Sequence, residues 1–236
     1  MDLEAVAGAG NGTLRILVTR LRFLGDIVMT TPVLEALKER YPRARIHYLA
    51  GSAYADVLEE NPFLEGIIRM GYGAASYAAT VRRLRSMKFT AALDLFYNPA
   101  TANLLFLSGI PVRIGGDRRF RKLFYTMTWK PPSGGLSAVK QHMYPLRLMD
   151  APRADGMPRV YLSSVEIQWG RARLAAECGG GCVVAMHPGG SWPSKRWPPA
   201  RFGELAKRLI LSGRKVILLT GPGEDSIVRE VRSAAA

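Results

Sequence analysis

The sequence predicts an α/β protein with two doubly wound, Rossmann-like domains, each built on a mostly parallel sheet. The main observation is that short β-branched runs alternate with helical patterns almost from end to end. The composition agrees, because 48% hydrophobic and 22% charged residues over 236 positions are typical of a globular chain. No apolar run approaches the roughly 18 residues that a membrane-spanning helix needs.

The first half of the chain contains five predicted strands separated by helices. After the first strand, a Thr-Pro pair marks a helix start, with Thr31 as the predicted N-cap and Pro32 as the first helical residue. The predicted strands cover residues 14–19, 45–49, 66–70, 90–95 and 111–114. The predicted helices cover residues 32–41, 53–60, 77–87, 100–107 and 139–148.

A loop-like Lys-Pro-Pro-Ser-Gly-Gly segment at 130–135 breaks this pattern, and a new alternation begins farther on. Helices are predicted at 164–177, at 199–211 and from 224 onward, and strands at 182–186 and 215–219. We therefore predict a flexible leader (1–12), an N-terminal domain (13–150), a linker (151–159) and a C-terminal domain (160–236). With only two clear strands, the second domain is expected to be incomplete and to expose a sheet edge and apolar surface.

The chain is strongly basic, with 33 Lys and Arg against 19 Asp and Glu and a net charge of +14. Residues 69–88 contain five basic residues and no acidic one, and residues 111–130 contain six basic residues and one acidic one. Such stretches either form a solvated face or attract polyanions, namely nucleic acids, anionic lipid headgroups or phosphorylated substrates. No nucleic-acid-binding motif is present, so we do not expect a nucleic-acid partner.

Three loops that follow predicted strands carry unusual residues, and ligands bind at such loops in open α/β sheets. In the first loop, Gly25 allows a tight turn and Asp26 lies where the next helical segment begins. Asp26 has two interpretations, a helix cap or a general base presented at the domain face. A nearby helix N-terminus stabilises the carboxylate, which makes it a weaker base.

The second loop, residues 187–197, has the sequence His-Pro-Gly-Gly-Ser-Trp-Pro-Ser-Lys-Arg-Trp. Gly189 and Gly190 permit close backbone approach, Ser191 offers a hydroxyl and Lys195 offers a positive charge beside a helix start. These residues favour a phosphate or pyrophosphate cradle. The alternative is an irregular loop packed against its own domain, with structural tryptophans.

The third loop, residues 220–225, has the sequence Thr-Gly-Pro-Gly-Glu-Asp. Its Glu224 can hydrogen-bond a ribose, or the loop is a simple turn whose acid complements the helix dipole. Alone, this loop does not decide between the two.

Two segments together resemble one family. The run Gly-Asp-Ile-Val-Met-Thr-Thr-Pro at 25–32 and the run His-Pro-Gly-Gly-Ser-Trp-Pro-Ser-Lys-Arg-Trp-Pro at 187–198 are similar to motifs of the bacterial lipopolysaccharide heptosyltransferases, glycosyltransferase family 9. The resemblance covers nearly all of the chain after the leader. Supporting marks are Leu-Asp-Leu-Phe-Tyr-Asn at 93–98, Arg-Ile-Gly at 113–115, His142, and Gly-Pro-Gly-Glu at 221–224.

This resemblance implies the GT-B fold and the inverting transfer of heptose from ADP-heptose to the lipid A-bearing inner core of lipopolysaccharide, without a metal or other cofactor. Asp26 matches the base that deprotonates the acceptor hydroxyl. Lys195 and Ser191 match residues that hold the donor diphosphate, with Gly189 and Gly190 in the same loop. Glu224 matches a donor-side position more loosely. A cation at the diphosphate would stabilise the leaving ADP.

The resemblance also implies a peripheral position at the cytoplasmic face of the membrane, where a basic N-terminal domain suits a phosphorylated, membrane-anchored acceptor. Family members continue to an Asp-Ser/Thr-Gly…His segment of the nucleotide site that nothing in this chain matches, so we expect an incomplete donor pocket. Two alternatives stay open. One is an inverting transferase for another nucleotide-sugar, and the other is a non-catalytic polyanion-binding protein on the same fold.

Overall fold

The computed structural model describes residue 3 and residues 13–130, 134–153, 155–190 and 192–236. The chain divides into two compact units, unit 1 (Met1–Leu162) and unit 2 (Ser163–Ala236), and the division falls close to the predicted boundary at 160. Of the predicted flexible leader, only Leu3 is described, and its side chain is fully buried in the core of unit 1. The rest of the leader lies outside the described residues.

Unit 1 is built on a six-stranded sheet. Its strands are β1 (Arg15–Thr19), β2 (Arg45–Gly51), β3 (Gly66–Met70), β4 (Ala91–Asp94), β5 (Val112–Gly116) and β6 (Met127–Trp129). Their order across the sheet is β3-β2-β1-β4-β5-β6, and every neighbouring pair is parallel, as predicted. The chain switches direction across the sheet between β1 and β4, and a crevice at their carboxyl ends is where such folds bind ligands.

The sheet of unit 1 is buried on both faces. Ile16 and Val18 of β1 belong to one core cluster, whereas Leu17 between them belongs to the other, because successive side chains of a strand point to opposite faces. The helices of unit 1 are α1 (Leu24–Val28), α2 (Thr31–Arg40), α3 (Gly73–Met87), α4 (Pro99–Ser108) and α5 (Ala138–Met143). Three 3-10 helices span Ser52–Leu58, Arg119–Phe124 and Tyr144–Met149.

The predicted N-cap role of Thr31 is wrong. The chain is already helical at Thr30, with φ −92° and ψ −8°, so Thr31 lies inside α2. Its hydroxyl donates to the Val28 carbonyl at 2.8 Å and accepts a hydrogen bond from the Arg159 amide at 2.9 Å. The second contact ties the predicted linker to α2, where Arg153 also pairs with acidic side chains.

Two predicted helices differ in type from those observed. The segment predicted at 53–60 is the 3-10 helix Ser52–Leu58, and the helix predicted at 139–148 becomes 3-10 at Tyr144. The second change follows from Pro145, which has no amide hydrogen with which to continue the α-helical ladder. Helix α1 and strand β6 are additional elements, each too short for its periodicity to be recognised in the sequence.

Unit 2 contains two parallel strands, β7 (Val183–Met186) and β8 (Lys215–Leu218). Its helices are α6 (Ser164–Cys178), α7 (Pro199–Leu211) and α8 (Asp225–Ala235), with a 3-10 helix at Pro193–Lys195. Helices α7 and α8 pack closely at Gly203, where an added Cβ would lie 2.5 Å from the Ala234 Cβ and 2.6 Å from the Val231 carbonyl oxygen.

The predicted exposed apolar surface of unit 2 is present. Val165 and Trp169 of α6 are 73% and 69% exposed, and Leu211 of α7 is 79% exposed. The side chains of β7 and β8 are mostly half-buried or exposed, in contrast to the buried central strands of unit 1. In the described ranges, no helix is both long enough and apolar enough to cross a bilayer.

The close packing at Gly203 predicts a strong effect of a single methyl group. We expect Gly203→Ala to destabilise unit 2 by about 1–3 kcal/mol, because the added Cβ overpacks the contact between α7 and α8. Amide hydrogen exchange in α7 and α8 measures this effect locally.

Gly170→Ala is the matched control, since Gly170 also lies inside a helix but has open space where a Cβ would be. It should be neutral or stabilising by up to about 1 kcal/mol. Equal exchange rates in the two variants would contradict the packing argument.

Candidate functional site

Asp26 lies at the carboxyl edge of the unit 1 sheet, in the helix that follows β1. Its Oδ2 accepts a hydrogen bond from the Phe23 amide at 3.3 Å, so part of the capping interpretation holds. The same oxygen lies 2.9 Å from Nη2 of Arg20. Its Oδ1 has no hydrogen bond within the described part of the chain. One carboxylate oxygen of Asp26 is therefore held in place, and the other has no described hydrogen bond, in a side chain that is 30% exposed.

The surroundings of Asp26 keep it ionised. Burial raises its pKa, but the hydrogen bond and charge of Arg20 lower it, and so does the hydrogen bond from Phe23. The net result is a pKa below the ordinary value of an aspartate. Asp26 is therefore a carboxylate at neutral pH, available to accept a proton but only a weak base.

His142 of α5 is buried, and its pKa responds to the charges of both Arg20 and Asp26. Burial lowers its pKa to about 4, the charge of Arg20 acts in the same direction, and the charge of Asp26 opposes both. His142 is therefore neutral at pH 7. Arg20 therefore supplies the positive charge beside Asp26. The Arg20 Nη1 donates to the Leu95 carbonyl at 2.9 Å, and the Arg20 guanidinium lies 5.0 Å from the centre of the Phe96 ring.

A cleft of about 510 Å³ opens at the same edge of the sheet, lined by residues that follow β1, β2, β3 and β4. Its walls include the aromatic rings of Tyr54, Tyr72, Tyr77 and Phe96, and Arg22 is the one charged residue among the described lining residues. Phe96 connects the cleft to Asp26, because its ring contacts Arg20. The size and apolar lining are those of a small-molecule site.

Asp94 positions the loop that carries Phe96. The Asp94 side chain is fully buried, and its Oδ1 accepts hydrogen bonds from the amides of Phe96 at 3.0 Å and Tyr97 at 2.8 Å and from the Thr19 hydroxyl at 2.9 Å. Its Oδ2 accepts from the Tyr125 hydroxyl at 2.7 Å. The cleft, Arg20 and this role of Asp94 are not predictable from the sequence, because the contributing residues are far apart in the chain.

In unit 2, the two glycine-rich loops are joined by Glu224. Its Oε1 accepts a hydrogen bond from the Gly190 amide at 3.0 Å, and its Oε2 accepts from the Gly221 amide at 2.7 Å. A Cβ on Gly189 would lie 2.0 Å from Oε1, so Gly189 is the residue that admits the carboxylate. The hydrogen bond from Gly221 is the main cause of a lowered pKa for Glu224.

Lys195 lies on the second loop with its side chain exposed. Its ammonium has no hydrogen bond or ion pair to any residue that the structure describes. The backbone around it is held, because Arg196 Nε donates to the Gly190 carbonyl at 2.6 Å and His187 Nδ1 lies 2.8 Å from the Leu219 carbonyl. A free cation on a fixed loop is suited to an anionic ligand.

The structure thus brings Gly189, Gly190 and Glu224 into contact and places Lys195 on the same loop. Ser191 lies outside the described residues. Asp26 belongs to unit 1 and the other predicted site residues belong to unit 2.

A family model described as glycosyltransferase family 9 (heptosyltransferase) matches residues 77–236. Lipopolysaccharide heptosyltransferase 3 of Escherichia coli is 25% identical over an alignment of 219 positions, which covers 88% of this chain and 64% of that protein. The chain therefore spans about two thirds of the length of this curated relative.

Two solved structures have a similar fold. The glycosyl transferase family 9 protein from Veillonella parvula DSM 2008 has a TM-score of 0.84 and 23% identity, over 93% of this chain and 66% of that one. The E. coli ADP-heptose lps heptosyltransferase II has a TM-score of 0.75 and 23% identity, over 94% of this chain and 69% of that one. These likenesses confirm the predicted fold class, α/β of the GT-B type.

The lowered pKa of His142 predicts a pH-dependent stability of unit 1. Unfolded histidine titrates near 6.5, so between about pH 6.5 and 4 the unfolded state binds the proton and the folded state does not. Stability must therefore fall as the pH is lowered through this range. Urea unfolding of the wild type and of His142→Gln at a series of pH values measures the effect.

We expect the difference in unfolding free energy between wild type and variant to decrease from pH 7 to pH 4. His142→Phe should remove the same pH dependence, because it also lacks a titratable group. A difference that stays constant with pH would contradict the buried, neutral state of His142.

Proposed function

This chain belongs to glycosyltransferase family 9, the heptosyltransferase family, and from that membership we propose that it transfers a sugar from a nucleotide-sugar to a glycan acceptor. The proposed donor is ADP-heptose and the proposed acceptor is the lipid A-bearing inner core of lipopolysaccharide. The observation that carries the proposal is the Asp26 carboxylate, which is ionised, has no described hydrogen bond to Oδ1 and is connected through Arg20 and Phe96 to an aromatic cleft at the switch point of the unit 1 sheet.

In the proposed reaction, Asp26 Oδ1 accepts the proton of an acceptor hydroxyl. During this proton transfer, the hydroxyl oxygen forms a bond to the anomeric carbon of the donor while the bond from that carbon to the diphosphate oxygen breaks. Attack on the face opposite the leaving group inverts the configuration at the anomeric carbon. The nucleoside diphosphate leaves with the electron pair of the broken bond.

The weak basicity of Asp26 is compatible with this step. Glycosyl transfer passes through a transition state in which positive charge develops on the sugar as the leaving group departs, by analogy with glycoside hydrolysis. The attacking hydroxyl becomes acidic as its oxygen binds the anomeric carbon, so a carboxylate with a low pKa can still accept its proton.

On the donor side, we assign Lys195 to the diphosphate. Negative charge develops on the leaving nucleotide, and a cation that meets it there stabilises the transition state more than the ground state. The exposure of Lys195 and its lack of a described partner support this role. Ser191 is proposed to add a hydroxyl hydrogen bond to the same group.

Glu224 is proposed to hold the donor loops in position. Both of its oxygens accept backbone hydrogen bonds, which fixes Gly190 and Gly221 relative to each other. A carboxylate oxygen can accept more than one hydrogen bond, so the predicted contact to a ribose hydroxyl is compatible with this arrangement.

The proposal includes no metal or other cofactor and no nucleic acid. The described ranges contain no group of three or more His, Cys, Asp or Glu residues that could hold a metal ion. That the reaction proceeds without a metal stays a prediction, and so does a peripheral position at the cytoplasmic membrane face.

The role of Lys195 is tested by donor binding. We expect Lys195→Ala to weaken binding of ADP-heptose and ADP by about 10- to 100-fold, as the loss of a charged hydrogen bond does. Lys195→Arg should retain most of the affinity. Titration calorimetry with ADP-, UDP- and GDP-sugars measures these affinities and also tests the nucleotide preference.

Lys215→Ala is the matched control, because Lys215 is an exposed lysine of the same unit at the start of β8. It should bind ADP-heptose as the wild type does. Unchanged binding by Lys195→Ala would exclude the diphosphate role.

The role of Asp26 is tested by the transfer rate. We expect Asp26→Asn to lower the rate by about 10²- to 10⁴-fold, the range for a general base, with donor binding unchanged. Transfer of radiolabelled sugar to an inner-core acceptor measures the rate. Asp117→Asn, at a half-buried aspartate of the same unit, is the control and should keep the wild-type rate. Full transfer by Asp26→Asn would refute the assignment of the base.

A further inference from the structure

An exposed segment between β5 and β6 combines positive charge with large apolar side chains. We define the basic apolar strip by its exposed members, which are Arg118, Arg119, Phe120, Lys122 and Leu123, together with Phe106 and Leu107 of α4. Phe120 and Leu123 are 83% and 71% exposed. Exposed apolar side chains at this density indicate an interaction surface.

The backbone of the strip is held in place by the fold. Arg121 Nη1 donates to the Tyr97 carbonyl at 2.7 Å, and the Phe124 ring lies 5.4 Å from the Phe106 ring, centre to centre. These contacts fix both ends of the 3-10 helix against α4 and the loop before it. Phe120 and Leu123 are therefore presented outward by an ordered segment.

The charge around the strip is almost entirely positive. Residues 73–130 contain ten Lys and Arg and two acidic residues, of which Asp94 is fully buried. No cation of the strip forms an ion pair with a described residue. Arg85 and Lys88 at the end of α3 lie beside the end of α4 and extend the positive surface. This surface attracts an extended anionic partner.

The combination of side chains favours a lipid surface over a nucleic acid. Cations bind phosphate in both cases, but exposed Leu and Phe gain free energy by leaving water for the acyl region of a bilayer. Leu107 and Leu123 would gain no comparable free energy by contacting a nucleic-acid phosphate backbone. Apolar side chains flanked by Lys and Arg are typical of segments that bind in the interface of anionic membranes.

We propose that the basic apolar strip is the membrane-docking surface of this protein, with its cations on anionic headgroups and Phe120 and Leu123 inserted among the acyl chains. The proposal rests on the proposed function in one respect, namely that the acceptor is anchored in a membrane. The segment begins after the carboxyl end of β5, the same sheet edge at which Asp26 follows β1. Docking through the strip brings this edge toward the lipid-anchored acceptor.

Vesicle co-sedimentation tests the proposal, with phosphatidylcholine vesicles and with vesicles that also contain phosphatidylglycerol. The wild type should bind the anionic vesicles much more strongly. Phe120→Ser/Leu123→Ser leaves the charge unchanged and should weaken this binding about tenfold or more, because the inserted apolar area is lost. Arg118→Gln/Arg119→Gln should also weaken it and should reduce its salt dependence.

Two double variants in unit 2 are matched controls. Arg229→Gln/Arg232→Gln removes the same charge from exposed positions, and Val165→Ser/Leu211→Ser removes exposed apolar side chains of similar exposure. Both should bind anionic vesicles within about twofold of the wild type. The proposal is overturned if Phe120→Ser/Leu123→Ser binds anionic vesicles as strongly as the wild type. It is also overturned if the control variants lose as much vesicle binding as the strip variants.

Binding of a single-stranded RNA tests whether the strip recognises a nucleic acid and not a membrane. If the wild type binds this RNA but not the vesicles, and only the arginine variant loses RNA binding, the strip is a nucleic-acid surface and the proposal is wrong. Circular dichroism of each variant checks that the fold is retained.

Sugar transfer to a soluble, deacylated acceptor separates this proposal from the proposed function. The strip variants should transfer at the wild-type rate in this assay, because the strip does not line the cleft. If the wild type does not transfer sugar but the vesicle results hold, the docking surface stands and the transferase assignment fails. If transfer occurs but no variant differs in vesicle binding, the transferase assignment stands and the docking surface fails.

Discussion

The buried carboxylate of Asp94 is the interaction on which the carboxyl edge of the unit 1 sheet depends. It accepts hydrogen bonds from β1 through Thr19, from the loop after β4 through Phe96 and Tyr97, and from the segment before β6 through Tyr125. Burial raises its pKa, and the hydrogen bonds oppose that effect. A buried acceptor left without its donors would cost about 1–3 kcal/mol or more, so these three elements are held together at the switch point.

The consequences of this arrangement reach the cleft and the surface. Phe96, held by Asp94, forms a wall of the cleft and contacts Arg20, which in turn fixes Asp26. Tyr97, held by the same carboxylate, accepts a hydrogen bond at its carbonyl from Arg121 of the exposed segment. The candidate base, the aromatic cleft and the basic apolar strip thus share one support, which is why we propose one function for them, transfer to an acceptor at a lipid surface.

Unit 2 uses the same chemistry in an exposed setting. Glu224 joins two loops through the amides of Gly190 and Gly221, as Asp94 joins elements of unit 1. Because Glu224 lies near solvent, its hydrogen bonds compete with water and stabilise less. Their main effect is geometric, since they shape the loop that presents Lys195. Gly189 is needed because any larger residue would place a Cβ within 2.0 Å of the Glu224 carboxylate and so block this contact.

The sequence by itself determined the fold class, the parallel sheet and the positions of Asp26, Lys195 and Glu224 in the segments that follow strands, because periodicity and loop motifs are local properties of the chain. It did not determine the N-cap of α2, since the turn after the short helix α1 leads directly into α2 and Thr30 already has helical backbone angles. Only the tertiary structure decided the partners of each charge. The Arg20–Asp26 pair, the cleft and the Asp94 network join residues from strands that are far apart in the chain, and their contacts arise only when those strands meet at one sheet edge.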